Sequence, residues 1–134
     1  MKSVLVSLVL LLSFCDLSFA HTHRNTKHAL DPSYCLALAT ANRFLHAWQS
    51  EDHETGIVML TDSAREHSSP EQLQSFFSPG PNAAYEIAHG KRTKSGGYAF
   101  PVVLFNNPVS WRRHNAKVIV TRDGKNDWAV DKLP

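Results

Sequence analysis

The hydrophobic pattern of this chain changes its period once, and Ser78-Pro79-Gly80-Pro81 marks the place. Two prolines and a glycine within four residues stop a helix and interrupt a strand ladder. Before that stop the apolar residues recur at helical spacing, and after it they recur at every second position. Helices followed by a run of strands specify an α+β domain, in which helices pack on one face of a curved antiparallel sheet.

Asp31 suits a helix cap and Pro32 a first helical position, after which Ala37, Ala41, Phe44, Leu45 and Trp48 fall at spacings of three and four. This predicts a first helix to about Gln49 with one apolar stripe. A short second helix is expected from His53 to Leu60. A third opens at Ser69-Pro70-Glu71-Gln72, where Ser69 and Gln72 form a capping box, and ends at Phe76-Phe77. Cys35, on the first helix, reads as a small buried hydrophobe, although a helix N-terminus can also activate a thiol.

Beyond the stop, Tyr85, Ile87 and His89 share one face of a first strand. Ser95-Gly96-Gly97 turns the chain into a nearly continuous apolar strand, Tyr98 to Phe105, in which Pro101 predicts an edge position or a bulge. Asn106-Asn107-Pro108 turns it again. A strand from Ser110 to Arg122, a tight turn at Asp123-Gly124 and a last strand from Trp128 to Leu133 complete an antiparallel meander.

Lys2 precedes the apolar run VLVSLVLLLSF, shorter than the ~20 residues a spanning helix needs. Ser18-Phe19-Ala20 places small residues at the positions a signal peptidase reads. Residues 1–20 are thus expected to be a cleaved signal peptide, 21–30 a mobile histidine-bearing tail, and 31–134 one domain of an exported protein, periplasmic or secreted. The competing reading makes Cys15 the lipid-carrying residue of a lipoprotein, with Phe14 where such signals carry a small residue.

Lys2 and Asp16 cancel, so the mature chain keeps the formal charge of +2, too small and scattered for a nucleic-acid partner. With the signal removed Cys35 is the single cysteine, which excludes an internal disulfide framework.

The sequence carries no phosphate-cradling glycine loop, nucleophile elbow or metal triad at recognisable spacing. The acids and histidines of Glu51-Asp52-His53-Glu54 fall between two helices, where Asp52 or His53 caps the second. Trp111-Arg112-Arg113-His114 reads as a solvated strand end. If the mature chain starts at His21, a free amine followed by His23 at the third position is similar to the amino-terminal copper motif, whose nitrogen ligands suit Cu(II).

Phe44-Leu45-His46-Ala47-Trp48, then Asp52, then Gly56-Ile57-Val58-Met59-Leu60, and finally Val118-Ile119-Val120-Thr121-Arg122 with Trp128-Ala129-Val130-Asp131, resemble the nuclear transport factor two-like superfamily. The resemblance implies a cone-shaped α+β fold, and exposed strand edges that pair into a homodimer through the sheet. It does not fix a function, because the superfamily holds both enzymes and binding proteins. Ketosteroid isomerase needs an aspartate base and hydrogen-bond donors to a developing enolate. Here Phe44 stands at its helix tyrosine, and Ser68 at its base, with His67 one residue away.

Three readings stay open. One is a non-enzymatic binder of a small apolar molecule or a protein partner, with a pocket lined by Phe44, Trp48, Tyr85, Ile87, His89 and Phe100. Another is a pocket isomerase, cyclase or hydrolase using His67 or His89 as general base. The last is a copper-handling tail at His21 and His23, the one cofactor the sequence suggests.

Overall fold

A computed structural model describes residues 31–106, 113–124 and 127–134. The expected signal peptide, Cys15, the tail with His21 and His23, the turn at Asn107-Pro108 and the aromatic-basic pair Trp111-Arg112 lie outside the described residues.

The order is α1 (Pro32–Gln49), α2 (His53–Val58), α3 (Asp62–Glu66), α4 (Pro70–Phe76), β1 (Ala84–Ile87), β2 (Lys91–Arg92), β3 (Tyr98–Phe105), β4 (Arg113–Arg122) and β5 (Trp128–Val130). The antiparallel sheet runs β1-β3-β4-β5, with β2 also beside β3. The domain is therefore the expected α+β architecture, a curled sheet wrapped around α1.

Caps account for the helix bounds. The Asp31 carboxylate accepts the Ser33 N–H at 3.0 Å, and Asp52 accepts that of Thr55 at 3.0 Å. Ser69 and Gln72 make the reciprocal capping box of α4. The cluster Glu51 to Glu54 thus serves mainly to end one helix and start the next. Asp52 N–H reaches Ala47 C=O and Glu51 N–H reaches Trp48 C=O, the paired bonds of a Schellman ending. Glu51 holds the left-handed position of that motif at φ 56°, and its carboxylate accepts the Gly80 N–H at 3.1 Å, tying the α1–α2 corner to the Ser78–Pro81 stop.

Several expectations need correction. The second helix ends at Val58 rather than Leu60, because Leu60 bridges in parallel to Val130 and Thr61 N–H donates to Val130 C=O at 2.9 Å. That graft covers the free edge of β5. Thr61 then caps α3, a five-residue helix with too little length for a periodic signal. Cys35 is exposed. At 100° per residue it lies about 160° around α1 from Ala37, on the face opposite the core stripe.

Pro101 sits in a central strand, paired with Lys117 of β4, not at a sheet edge. In an antiparallel ladder the N–H and C=O of one residue point the same way. Pro101 C=O accepts from Ala88 N–H at 2.9 Å, so its missing donor faces the gap between β1 and β2. There Ala88-His89-Gly90 interrupts the pairing, and the proline costs no ladder bond. His89 consequently falls outside β1. The last strand stops at Val130.

The core lies between α1 and the concave sheet face. Ala37, Ala41, Phe44, Leu45 and Trp48 meet Tyr98, Phe100, Val102, Leu104, Val118, Val120 and Val130. Each side contributes one parity or one helical stripe, as the sequence pattern requires.

Candidate functional site

Two aromatic clusters fill the cone, one at each end of α1. Toward its C-terminal end Phe44 stacks on Phe76 (ring centroids 5.9 Å) and meets Phe77 edge-on (5.6 Å), while Trp48 leans on Phe76 (6.3 Å). Toward its N-terminal end Tyr34 packs on Tyr98 (5.5 Å) and Phe100 (5.7 Å), and Tyr98 on Trp128 (5.7 Å). Such ring geometries add to the burial of large apolar surfaces.

Each cluster seats a phenylalanine against a glycine. A Cβ on Gly56 would lie 2.1 Å from Phe77, and one on Gly90 would lie 2.4 Å from Phe100. Only glycine lets the rings come so close.

The proposed pocket residues occupy this packing. Phe44 and Phe100 are 0% exposed and Trp48 2%, and Ile87 and Tyr85 pack against the cluster of buried residues. The Tyr85 hydroxyl donates to Asn42 Oδ1 at 2.7 Å, fastening β1 to α1, and partial burial raises its pKa. These six residues line none of the five clefts described for this surface.

The two histidines proposed as bases stand apart. His89 is exposed and stacks on Tyr34 (5.1 Å), with Nδ1 3.0 Å from the Tyr34 hydroxyl. That hydroxyl also accepts the Gly90 N–H at 3.2 Å, so its own proton can go to His89 Nδ1 in the Nε2–H tautomer. His67 is exposed too, with Nδ1 2.7 Å from Ser63 C=O, and lines a cleft with Phe76 and Asp131 to Pro134. Tyr34 and Phe44, which mark the two ends, are about 15 Å apart along the helix axis. At the position matched to the isomerase base, the Ser68 hydroxyl donates to Ala64 C=O at 2.8 Å.

Beside His89 is a short polar chain. The Tyr98 hydroxyl, on a residue only 4% exposed, donates to Asp31 Oδ2 at 2.5 Å. This bond holds the Asp31 carboxyl below the ordinary carboxylate value, with help from the Ser33 N–H and the charge of Arg92 and against some desolvation. The same bond, with burial and the Asp31 charge, raises Tyr98. The arrangement keeps a phenol protonated against a carboxylate and anchors the start of α1.

The largest of the described clefts is elsewhere, on the outer side of α1, with a volume of about 780 Å³. One wall is Leu36, Ala39, Thr40 and Arg43, a stripe at spacings of three and four on a helix whose other stripe is in the core. Val58, Met59, Leu60, Asp62 and Arg65 form the second wall, and Asp123, Gly124, Asp127, Trp128 and Ala129 close the end. Leu36 is 56% and Val58 70% exposed, the two large exposed hydrophobic residues among those described, and both line this groove. Arg65 pairs with Asp62 along α3. Sequence reasoning missed this groove because the core stripe dominates the periodicity of α1. The signal available was the second stripe, Leu36, Ala39, Thr40 and Arg43.

Among the described residues no group of three His, Cys, Asp or Glu is placed to hold a metal, and no helix is long and apolar enough to cross a membrane.

No protein-family model matches the sequence, and no curated protein matches it. Among solved structures, the chain is similar to a ketosteroid isomerase-like protein from Erwinia carotovora atroseptica SCRI1043, with a TM-score of 0.54 and 15% identity over 76% of this chain and 93% of that one. An uncharacterized cystatin fold protein from Novosphingobium aromaticivorans aligns with a TM-score of 0.48 and 16% identity, over 73% of this chain and 97% of that one. The cone fold of nuclear transport factor two-like proteins is thus the fold of this chain.

Proposed function

We propose that this protein is an exported, non-catalytic binding domain that engages a protein partner through the outer groove of α1. The observation that carries the reading is a contrast in packing: the cone interior is occupied by its own aromatic side chains, while the two large exposed hydrophobic residues among those described gather on one groove. Exposed large hydrophobic residues set among polar and charged ones are a common form of protein contact. The alternatives weaken on the same grounds, since a lipophilic ligand would have to displace Phe44 or Phe100, and neither imidazole faces an enclosed cavity with a second catalytic group.

A photo-crosslinking side chain placed at Val58, with a control at Glu86 on the exposed sheet face, tests this in the native exported fraction. A discrete protein adduct from position 58 and none from 86 is expected. Adducts from both positions alike, or from neither, would remove the groove as the working surface.

A further inference from the structure

The sheet turns two arginines toward the inside of the cone. Directly paired residues of an antiparallel ladder share a face. Arg92 of β2 pairs with Tyr98 of β3, and Tyr98 pairs with Val120 of β4. Tyr98 and Val120 belong to the core, so Arg92 has the core-facing side. Arg122 keeps the parity of Val118 and Val120 and pairs with Trp128 of β5. The alternation that supplies Val118, Val120 and Val130 to the core therefore ends, at the rim where α1 begins, in charge.

Both arginines line one cleft of about 450 Å³, together with Tyr98, Trp128, Ser33 in the first turn of α1 and Ser95 between β2 and β3. Strand spacing and rise put the Cα atoms of Arg92 and Arg122 about 12 Å apart, a gap that two long side chains close onto one small group. The Arg122 guanidinium carbon lies 4.9 Å from the Trp128 ring centroid. That contact uses the flat face of a group whose five N–H donors lie on its rim.

The carboxylate beside the cleft is already engaged. Asp31 accepts the Ser33 N–H on Oδ1 and the Tyr98 hydroxyl on Oδ2, and Arg92 acts on it as a nearby charge, without an ion pair. The Tyr98 phenol, raised first by its bond to Asp31, is pulled back by the charges of both arginines, which sets both near one point. Asp123 and Asp127 line the α1 groove and not this cleft. The lining thus brings two positive charges and no carboxylate of its own.

From this convergence we infer that the cleft binds a tetrahedral oxyanion, the phosphate or sulfate group of a small ligand. Two planar forks suit a group with three or four oxygens, each fork making parallel N–H···O bonds, whereas a carboxylate offers the two oxygens that one fork satisfies. The Ser33 hydroxyl donates to a remaining oxygen. Ser95 Oγ does so as well when it accepts from Thr93 Oγ1, 3.0 Å away, and keeps its own proton for the ligand. The inference does not depend on the α1 groove being the working surface.

Two-dimensional 1H–15N spectra of the protein, recorded at constant ionic strength while inorganic phosphate or inorganic sulfate replaces chloride, test it. Saturable shifts of the Ser33, Arg92, Tyr98 and Trp128 amides and of the arginine Nε–H groups are expected, and the tighter anion identifies the preferred group. Arg92→Gln and Arg122→Gln should each weaken binding roughly tenfold or more, with far-UV circular dichroism unchanged. Arg92→Lys should recover only part of the loss, because it restores the charge without the fork. Lys117→Gln removes the same charge from the outer sheet face and should change the affinity by less than about twofold. If loss of the Trp128 contact loosens Arg122→Gln, Arg92→Gln on the exposed β2 decides alone. Shifts that grow linearly with either anion and spread over Lys94 and Lys117 overturn the inference, as does saturable binding that Arg92→Gln leaves intact.

Discussion

The two stripes of α1 make the most informative comparison in the molecule. On one side Ala37, Ala41, Phe44, Leu45 and Trp48 are buried against the sheet and α4. About a third of a turn or more away, Leu36, Ala39, Thr40 and Arg43 run along the same helix at the same periodicity and form one wall of an open groove. Identical spacing produces opposite outcomes because only one stripe has a complementary layer within the fold. What α1 needs for stability is on the inside, and the face that the proposed partner would use is on the outside.

The sharpest way to break the inner side is at its glycine seat. Gly56→Ala places a methyl group in the volume of the Phe77 ring, and overpacking of this kind should cost about 3 kcal/mol, read by urea unfolding. A loss below about 0.5 kcal/mol would mean that Phe77 can move aside and that the cone is less tightly filled than described.

Glu51 tests how the α1–α2 corner is held. Glu51→Ala keeps a β-carbon in the left-handed position and discards the clamp to Gly80, so it should destabilise by roughly 1 kcal/mol. Glu51→Gly also discards the clamp but relieves the backbone strain, and should come out near neutral. Equal losses in the two variants would assign the whole effect to the clamp.

Val58→Asp sharpens the contrast from the outer side. With 70% of the residue already exposed, its stability should change by no more than about 0.5 kcal/mol, although binding through the groove is lost. A large loss of stability would make Val58 a core residue and void the comparison.

The smallest effect concerns the start of α1. Tyr98→Phe removes the first cause of the lowered Asp31 value, so the Asp31 carboxyl should titrate higher, back toward 3.8, when followed by NMR. The sign follows from linkage. A lowered carboxyl contributes stability above its ordinary value of 3.8 and loses it as pH falls through the folded value. The raised Tyr98 contributes below 10.0 and loses its share as pH rises through its own folded value. An unchanged Asp31 titration would mean that the phenol does not hold it in solution.

Much of the fold was legible in the sequence where local chemistry and tertiary demand coincide. Asp31, Asp52 and Ser69 cap because their side chains reach the next turn, and β3 runs from Tyr98 to Phe105 because its residues suit a strand, although its continuous apolar run suggested cover on both faces and only the Tyr98, Phe100, Val102 and Leu104 face is buried. Legibility ended where distant contacts decide. Leu60 is helical by period but belongs to β5 through Val130, and the short pairing of Lys91 and Arg92 with β3 leaves no apolar signature.

The site was less legible for a related reason. Phe44, Trp48 and Phe100 were placed around a cavity because apolar residues on facing elements line a pocket and fill a core with the same pattern. Which of the two results depends on whether Phe76 and Phe77 of α4 swing inward, a tertiary fact. His67 and His89 have the right chemistry for a base, but sequence spacing does not show that they sit toward opposite ends of α1. Conversely, Leu36 and Arg43 were passed over, since a second stripe on a helix signifies something only once the fold shows that it is left uncovered.

The most direct test of the account is a titration of the protein, in phosphate buffer, with an apolar probe, 1-anilinonaphthalene-8-sulfonate, followed in two-dimensional 1H–15N NMR spectra. Shifts confined to residues 36–43 and 58–65 are predicted, with the amides of Phe44, Phe77 and Phe100 unmoved. Shifts centred on Phe44, Phe77 and Phe100, or on the outward positions of β3 and β4, would contradict it.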